Sequence, residues 1–484
     1  MARRTAASDY DVAVIGGGAA GLAAAGAAGM LGAKTALVHA NDLGGECTWT
    51  GCIPSKALLR SAHAAHEIRR AADLGLRAEL EVDFAQVMQR VREIRRRVYA
   101  TADAPEVIAR YGVRPIRANA RFVDPRTLAL DGDGPSRLTA RWFVIATGSR
   151  PTALRVAVPT YDNESIWDLD VLPKRMLIAG AGPVGIEMAQ AFRRLGAAVT
   201  VIASTTGILP RDDAECSAIL QHRLAADGIR FVLERRIVAA ESTGSGIVSV
   251  LSDGSTPEAD VLFGAVGRES RVDELGLERV GVSVRDGRIV VDAHCRTTAH
   301  HIYATGDVAT PTRFTHVAER MSTIAVAHAL LALPLRFDAD ELTWTTFTAP
   351  ELAHVGAQEK QLRRDGRRHR VLRFPFTHLD RAYTDDAEGL VKIVIAPRGR
   401  ILGATVVGPR AGEMIAELAL ARKRRISAAT LSGTLHAYPT YAMATRRAAD
   451  GFVLRYRSDF AVRILRRLRG LRGRAPTLDA IVPQ

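Results

Sequence analysis

Cys47 and Cys52, two of the four cysteines in this chain, stand five positions apart in Gly44-Gly45-Glu46-Cys47-Thr48-Trp49-Thr50-Gly51-Cys52-Ile53-Pro54-Ser55-Lys56. Two thiols so placed offer reversible disulfide chemistry. On a regular helix, residues five apart have Cα atoms about 8.7 Å apart, more than the roughly 7 Å that a disulfide tolerates. Gly51 lets the chain leave helical geometry beside Cys52. A helix starting at Pro54 puts its positive end near both sulfurs and favours a thiolate. The expectation is a closed, reducible disulfide just before a helix that runs through Lys56-Ala57-Leu58-Leu59. The competing reading, two buried structural thiols, leaves the flanking Gly-Gly and Pro-Ser-Lys without a purpose.

Such a pair needs an electron source, and the rest of the chain reads as the means of holding one. Tyr10 to Ile15 is a short apolar strand, followed by Gly16-Gly17-Gly18-Ala19-Ala20-Gly21 and an alanine-rich helix to about Leu31. Strand, G-x-G-x-x-G, helix is the context of a dinucleotide site: Gly16, Gly18 and Gly21 let backbone approach a pyrophosphate at the helix N-terminus. The unit recurs as Met176 to Ala179, then Gly180-Ala181-Gly182-Pro183-Val184-Gly185 and a helix beginning Ile186-Glu187-Met188. Gly180, Gly182 and Gly185 mark a second dinucleotide site. Two such sites suit an electron relay, one nucleotide delivering hydride and the other storing it.

The run G-G-E-C-T-W-T-G-C-I-P-S-K-A-L-L resembles the redox-active segment of the class I pyridine nucleotide-disulfide oxidoreductases, the family of dihydrolipoamide dehydrogenase, glutathione reductase and mercuric reductase. The resemblance implies an α/β fold with two Rossmann-like dinucleotide-binding domains, for FAD and NAD(P), and a C-terminal α+β dimerisation domain. It implies FAD-binding parts over 1–150 and 270–337, an NAD(P)-binding domain over 151–269, a dimerisation domain over 338–454 and a basic tail over 455–484. Cys52 is then the thiolate facing the flavin and Cys47 the sulfur that meets the acceptor, with Lys56 paired to Glu187 beside the flavin. Gly45 belongs to the cofactor-contacting set. Ala146-Thr147-Gly148-Ser149-Arg150-Pro151 is similar to the family's A-T-G-S-x-P segment, which adds Thr147 and Gly148. Gly267, in Val261 to Arg268, falls in the crossover back to the flavin domain, and Thr305-Gly306-Asp307 is the T-G-D whose Asp holds the ribityl chain. Thr346 to Gly356 is similar to the dimerisation domain, so a homodimer is implied, each C-terminal segment completing the partner's active site.

Three positions depart from the pattern. The second strand, Lys34 to Val38, ends in His39 where the family has a ribose-binding Glu. His39 reads as a solvated loop histidine, with Asn41 and Asp42 as possible substitutes. The strand Ala198 to Ile202 ends in Ala203-Ser204-Thr205-Thr206, with neither a carboxylate to repel a 2′-phosphate nor an adjacent arginine to bind one, the nearest positive charge being Arg211. NADP and NAD both remain open, with NADPH ahead. In His436-Ala437-Tyr438-Pro439, the family's base, His before Pro, is replaced by Tyr438, and its orienting Glu by Met443. A phenol with a pKa of about 10 accepts protons poorly at neutral pH. Mercuric reductases place Tyr near this position. The expectation is therefore a mercuric reductase-like enzyme passing electrons from NAD(P)H, through FAD and the dithiol, to a metal ion or other small electrophile. Dihydrolipoamide dehydrogenase or another disulfide reductase is the alternative, and a flavin redox sensor or membrane-associated regulator comes from another class. A quinone or copper reductase independent of the cysteines is a further rival. No cysteine follows Cys295, so a C-terminal metal-transfer pair is absent from this sequence and no resident metal is expected.

Composition sets the outer bounds. A chain of 484 residues, 47% hydrophobic, supports two to four domains. No apolar run approaches the roughly 18 residues of a membrane span, and a cytoplasmic location is expected. The formal net charge of +14 comes from arginines spread over the whole chain, without a nucleic-acid motif, so no nucleic-acid partner is expected. The exception to the even spread is Arg455 to Arg474. Its eight arginines alternate with Phe460, Val462, Ile464, Leu465, Leu468 and Leu471 in the pattern of a basic amphipathic helix, which allows weak membrane contact.

Overall fold

The computed structural model describes residues 8–456, 459–471 and 473. Of the expected tail 455–484, residues 457–458, 472 and 474–484 lie outside the described residues. The strand Tyr10–Ile15 sits in a parallel sheet between Thr35–His39 and Arg137–Ile145, with Val113–Asp124 beyond the former and Ile302–Ala304 beyond the latter. Val12, Ala13 and Val14 are essentially inaccessible. A strand buried on both faces shows an unbroken apolar run rather than alternation. Arg175–Ala179 plays the same part in a second parallel sheet, ordered Val261–Gly264, Arg175–Ala179, Ala198–Ala203, Arg230–Leu233. The third sheet is antiparallel, with Thr343–Thr346, Glu351–Gly356, Ile401–Gly408, Leu390–Ile395 and Arg370–Pro375 side by side.

The two glycine motifs pack in the same way. At Gly16, φ is +114°, and an added Cβ would lie 2.2 Å from the Ala146 carbonyl oxygen; at Gly180, also +114°, it would lie 2.3 Å from that of Ala265. A Cβ at Gly21 would strike the Gly16 carbonyl, and one at Gly185 that of Gly180, at 1.7 and 2.1 Å. These glycines are needed for the close approach of each helix to its own strand.

The helix that carries the second cysteine spans Cys52–Arg69 and begins two residues earlier than Pro54. Its first hydrogen bond runs from the Ser55 N–H to the Gly51 carbonyl at 3.1 Å. Pro54 fits inside this first turn because an N–H there has no acceptor within the helix anyway. Leu58, Leu59, Ala62 and Ala65 bury the helix in the same cluster as Ile186, Ala189 and Phe192 of Pro183–Leu195. The redox segment and the second glycine motif thus share a core.

His39 is buried at the end of its strand, its Nδ1 2.8 Å from the Asn41 carbonyl oxygen, rather than solvated in a loop. The long antiparallel extension Val113–Asp124 with Thr127–Gly132 and the strand Glu351–Gly356 lie where no strand was expected.

Candidate active site

The backbone breaks between the two cysteines. Gly45–Trp49 is a single short helix, the chain turns at Thr50 and Gly51, and Cys52 opens the long helix. Gly51 has φ −122° and ψ −105°, well outside helical values. Across this break Cys47 and Cys52 meet as hydrogen-bond partners, the proximity that a reversible disulfide between them requires. Gly45, at φ +56°, lies so close to the first glycine motif that a Cβ there would be 2.6 Å from the Gly18 Cα. That contact seats the thiol segment on the dinucleotide cradle.

The electrostatics separate the two sulfurs. The Cys52 thiol is lowered to about 6, first by the hydrogen bond it receives from Cys47, then by Thr315 and the Lys56 ammonium, against the opposing effect of burial. The shared bond and burial push Cys47 far up. Thr315 Oγ1, at the first position of the helix Thr315–Leu331, is 3.3 Å from Cys52 Sγ. Cys52 is itself the first residue of its own helix, where the dipole favours negative charge. Lys56 Nζ lies 2.9 Å from Glu187 Oε2, as the motif reading expects, and stacks over the Phe347 ring at 4.5 Å. The other Glu187 oxygen accepts the Phe347 N–H at 2.9 Å. Glu187, in the second glycine motif's helix, therefore joins the thiol helix to the C-terminal sheet.

A second set of residues was not singled out in the sequence. Arg268 bonds Glu46 at 2.5 Å, Asn163 Oδ1 at 2.8 Å and Ser149 Oγ at 2.9 Å, and Ser149 donates to Asp307 at 2.6 Å. This chain of bonds leads from the residue preceding Cys47 to the T-G-D aspartate. Each of these bonds spans more than 100 positions, and the only sequence signal was that Glu46, Ser149 and Arg268 lie in or beside motif residues. Burial raises Glu46 to about 7, with Asp307 and Cys52 adding and Arg268 opposing. A carboxyl held above its usual 4.5 is favoured by folding in its protonated form, so its contribution falls as pH rises from about 4.5 through 7. Glu46→Gln is expected to remove that part of the pH dependence, seen as a smaller drop in unfolding midpoint between pH 5 and pH 8.

The remaining expected cofactor residues form two cradles. A Cβ at Gly148 or Gly182 would meet no atom within 4 Å, and one at Gly18 only Gly45, at 3.8 Å, so this backbone faces open space as a phosphate or ring edge requires. Asp307 is anchored by Ser149 and, through its carbonyl, by Ser270 Oγ at 2.6 Å; Thr147 Oγ1 donates to the Arg271 carbonyl at 2.6 Å. Gly306 adopts φ +74° and Gly267 φ +134° at the two crossovers. The donor set fits FAD in the first cradle and a nicotinamide dinucleotide in the second. At the second, pairing of Ala198–Ala203 with Arg230–Leu233 brings Glu234 and Arg235 next to Thr205 and Ala203 through backbone bonds of 3.1 and 3.0 Å. Their backbones therefore lie beside the end of that strand, with the Arg235 guanidinium paired to Asp253 at 2.7 Å.

Tyr438 is not brought to the cysteines within one chain. It is exposed and hydrogen-bonded to Asp380, which raises its phenol further. Met443 is buried in the core of the C-terminal unit. His436 is fixed by Glu417 at 2.9 Å and by the Thr434 carbonyl at 3.0 Å, a structural setting rather than that of a free base.

Residues 10–329 match the pyridine nucleotide-disulphide oxidoreductase family and residues 342–449 its dimerisation domain. The chain is 36% identical to dihydrolipoyl dehydrogenase of Thermus scotoductus, over 91% of this chain and 97% of that protein, and 33% identical to that of Geobacillus stearothermophilus, over 90% and 95%. Among solved structures, LpdA from Mycobacterium tuberculosis aligns with a TM-score of 0.84 at 30% identity, covering 91% of this chain and 99% of that one. A Cu(II) complex of the flavoprotein disulfide reductase RclA from Escherichia coli, 23% identical with a TM-score of 0.81, shows the same fold. These relatives favour the disulfide-reductase alternative over the mercuric reductase-like expectation. The chain belongs to the class I pyridine nucleotide-disulfide oxidoreductases, FAD- and NAD(H)-dependent enzymes that act on sulfur groups.

Proposed function

We propose that this chain works as a homodimer that moves an electron pair from NAD(P)H through FAD to Cys47 and Cys52, and from them to a disulfide acceptor, as dihydrolipoyl dehydrogenases do in reverse. FAD, when bound, supplies two-electron transfer between the nicotinamide and the disulfide. The protein's part is to divide the product sulfurs. Cleavage of the Cys47–Cys52 bond leaves Cys52 as the thiolate, held by Thr315 and Lys56, and Cys47 as the thiol hydrogen-bonded to it. Cys47 passes its proton towards Cys52, attacks one sulfur of the acceptor disulfide and releases the other as a thiol. Cys52 then displaces the second acceptor thiol and restores the internal disulfide. The balance is NAD(P)H, a proton and a disulfide in, and NAD(P)⁺ and two thiols out. The observation that carries this reading is Cys52 at its helix start, 3.3 Å from Thr315 and one turn before Lys56 of the Lys56–Glu187 ion pair. The division into 1–150, 151–269, 270–337 and 338–454 is part of the proposal, as is Tyr438 facing the partner's thiol pair. Anaerobic titration of the purified yellow protein with NADH and with NADPH is expected to give long-wavelength absorbance at two-electron reduction. Its absence overturns the thiolate assignment.

A second reading is favoured by Tyr438 and Met443 standing where the family's base and its orienter belong: the acceptor is an electrophile such as a soft metal ion, which needs no proton removed. The double variant Tyr438→His/Met443→Glu separates the two. For a disulfide acceptor it is expected to raise turnover, by up to about 10²-fold if the new base is placed well. Unchanged disulfide turnover, beneath a higher rate with Hg(II) or Cu(II) in the parent, establishes the second reading.

A further inference from the structure

From the chemistry of the last described helix, we infer that the C-terminal tail binds the surface of an anionic lipid bilayer. The helix Asp459–Leu468 lies beyond residue 449, where the match to the dimerisation domain ends. It exposes Ile464, Leu465 and Leu468, and Leu471 just past its end is exposed as well, with 77% of Leu468 accessible. At about 100° per residue, 464 and 468 fall within about 40° of one another and 465 lies on their flank. Arg467 and Arg469 are exposed beside this stripe, and Arg466 is half-buried, bonded to the Gly473 carbonyl. In sequence, no acidic residue stands between Asp459 and Asp479, while eight arginines fall between 455 and 474.

The two features together select the partner. Arginines with no acidic neighbour in sequence call for a negatively charged surface, and an apolar stripe calls for a medium that takes leucine out of water; the headgroup region of an anionic bilayer provides both. A polynucleotide satisfies the arginines and leaves the four apolar side chains wet. A second copy docked stripe to stripe sets the same arginines against one another. Among the described residues no helix is long and apolar enough to cross a membrane, so the contact is peripheral. This inference is independent of the acceptor.

The test uses the full-length, flavin-loaded protein in flotation with vesicles of mixed phosphatidylglycerol and phosphatidylcholine, and with phosphatidylcholine alone. The anionic vesicles are expected to carry at least about tenfold more protein, an excess lost when NaCl is raised to about 0.5 M. Leu465→Asp/Leu468→Asp is expected to lose flotation by a similar factor while keeping its NADH oxidation rate and its mass in solution. Equal flotation of parent and variant overturns the inference, and so does flotation indifferent to lipid charge. Retention only on an RNA homopolymer overturns it in favour of nucleic acid. A fall in solution mass of the variant shows that a second copy covers the stripe, and overturns it too.

Discussion

Cys52→Ser is expected to lower NADH-driven disulfide reduction by about 10³-fold or more, because a serine hydroxyl neither forms the internal disulfide nor persists as an anion near neutral pH. Cys52 combines the helix N-terminus, the Thr315 contact at 3.3 Å and the Lys56 charge, and no other cysteine has that combination. Cys216 is fully buried with its thiol pushed well up, and Cys295 is raised to about 12, both by burial first, so the same change at either is expected to leave turnover within a few-fold. Cys47→Ser gives a sharper check. It too stops disulfide reduction, but it leaves the Cys52 thiolate with Thr315 and Lys56, so the long-wavelength absorbance persists. Since the bond from Cys47 is the largest cause of the low Cys52 value, the pH at which that absorbance appears is expected to move up from about 6. A Cys52→Ser enzyme with full turnover on any acceptor shows that the acceptor is reduced without the sulfurs, and the quinone or copper reductase reading takes over.

The reading of the sequence reached this site because its chemistry is local. The glycine motifs and the cysteine pair each sit in a run of a dozen or so residues whose spacing reflects backbone geometry, and the Lys56–Glu187 pair was implied by the family resemblance rather than by spacing. The bonds of Arg268 to Glu46, Asn163 and Ser149 cross long sequence separations and depend on how a two-stranded ribbon, a short helix and a loop come together, for which a single chain carries no periodic signal. The helix start was misplaced for a related reason. Pro54 marks a first turn but does not say which residue of that turn it occupies, and the break at Gly51 sets the boundary instead. His39 was read as a loop residue because it stands where the family has a ribose-binding Glu and a histidine there has no obvious ligand. Here the absence of a Cβ at Gly17 leaves room for it: one would lie 2.9 Å from the His39 Cβ. The approach of Glu234 and Arg235 to the end of Ala198–Ala203 escaped notice because they follow the neighbouring strand, about 30 residues beyond Ala203.

Lys392→Met is expected to destabilise the protein by about 3 kcal/mol at pH 7, the lower end of what breaking a buried ionic group costs, since Arg373 still reaches two of the stranded carboxylates. Lys392 projects from the strand Leu390–Ile395 with 5% of its side chain accessible and meets Asp213 at 2.8 Å, Glu359 at 2.9 Å and Glu215 at 3.0 Å. Asp213 is also the N-cap of Ala214–Ala226, its other oxygen accepting the N–H groups of Glu215 and Cys216. One ammonium therefore fastens the second parallel sheet's layer to the C-terminal antiparallel sheet, the same junction that Glu187 makes through Phe347. Burial alone pulls the lysine down, but its bonds to Asp213, Glu359 and Glu215 outweigh that and raise it. On the acid side, burial opposes the ionisation of Glu215 and Glu359, yet their cationic partners hold both below the usual 4.5. Groups depressed in this way stabilise the fold above pH 4.5 and lose their contribution as pH falls through their folded values. In the variant the carboxylates lack the ammonium, so protonation relieves repulsion there instead. The gap between parent and variant, read from urea unfolding with flavin present, is expected to be widest near pH 7 and to narrow steadily below about 4.5. A gap that stays constant down to acid pH identifies the loss as one of packing alone and removes the ion cluster as the fastening between the two layers.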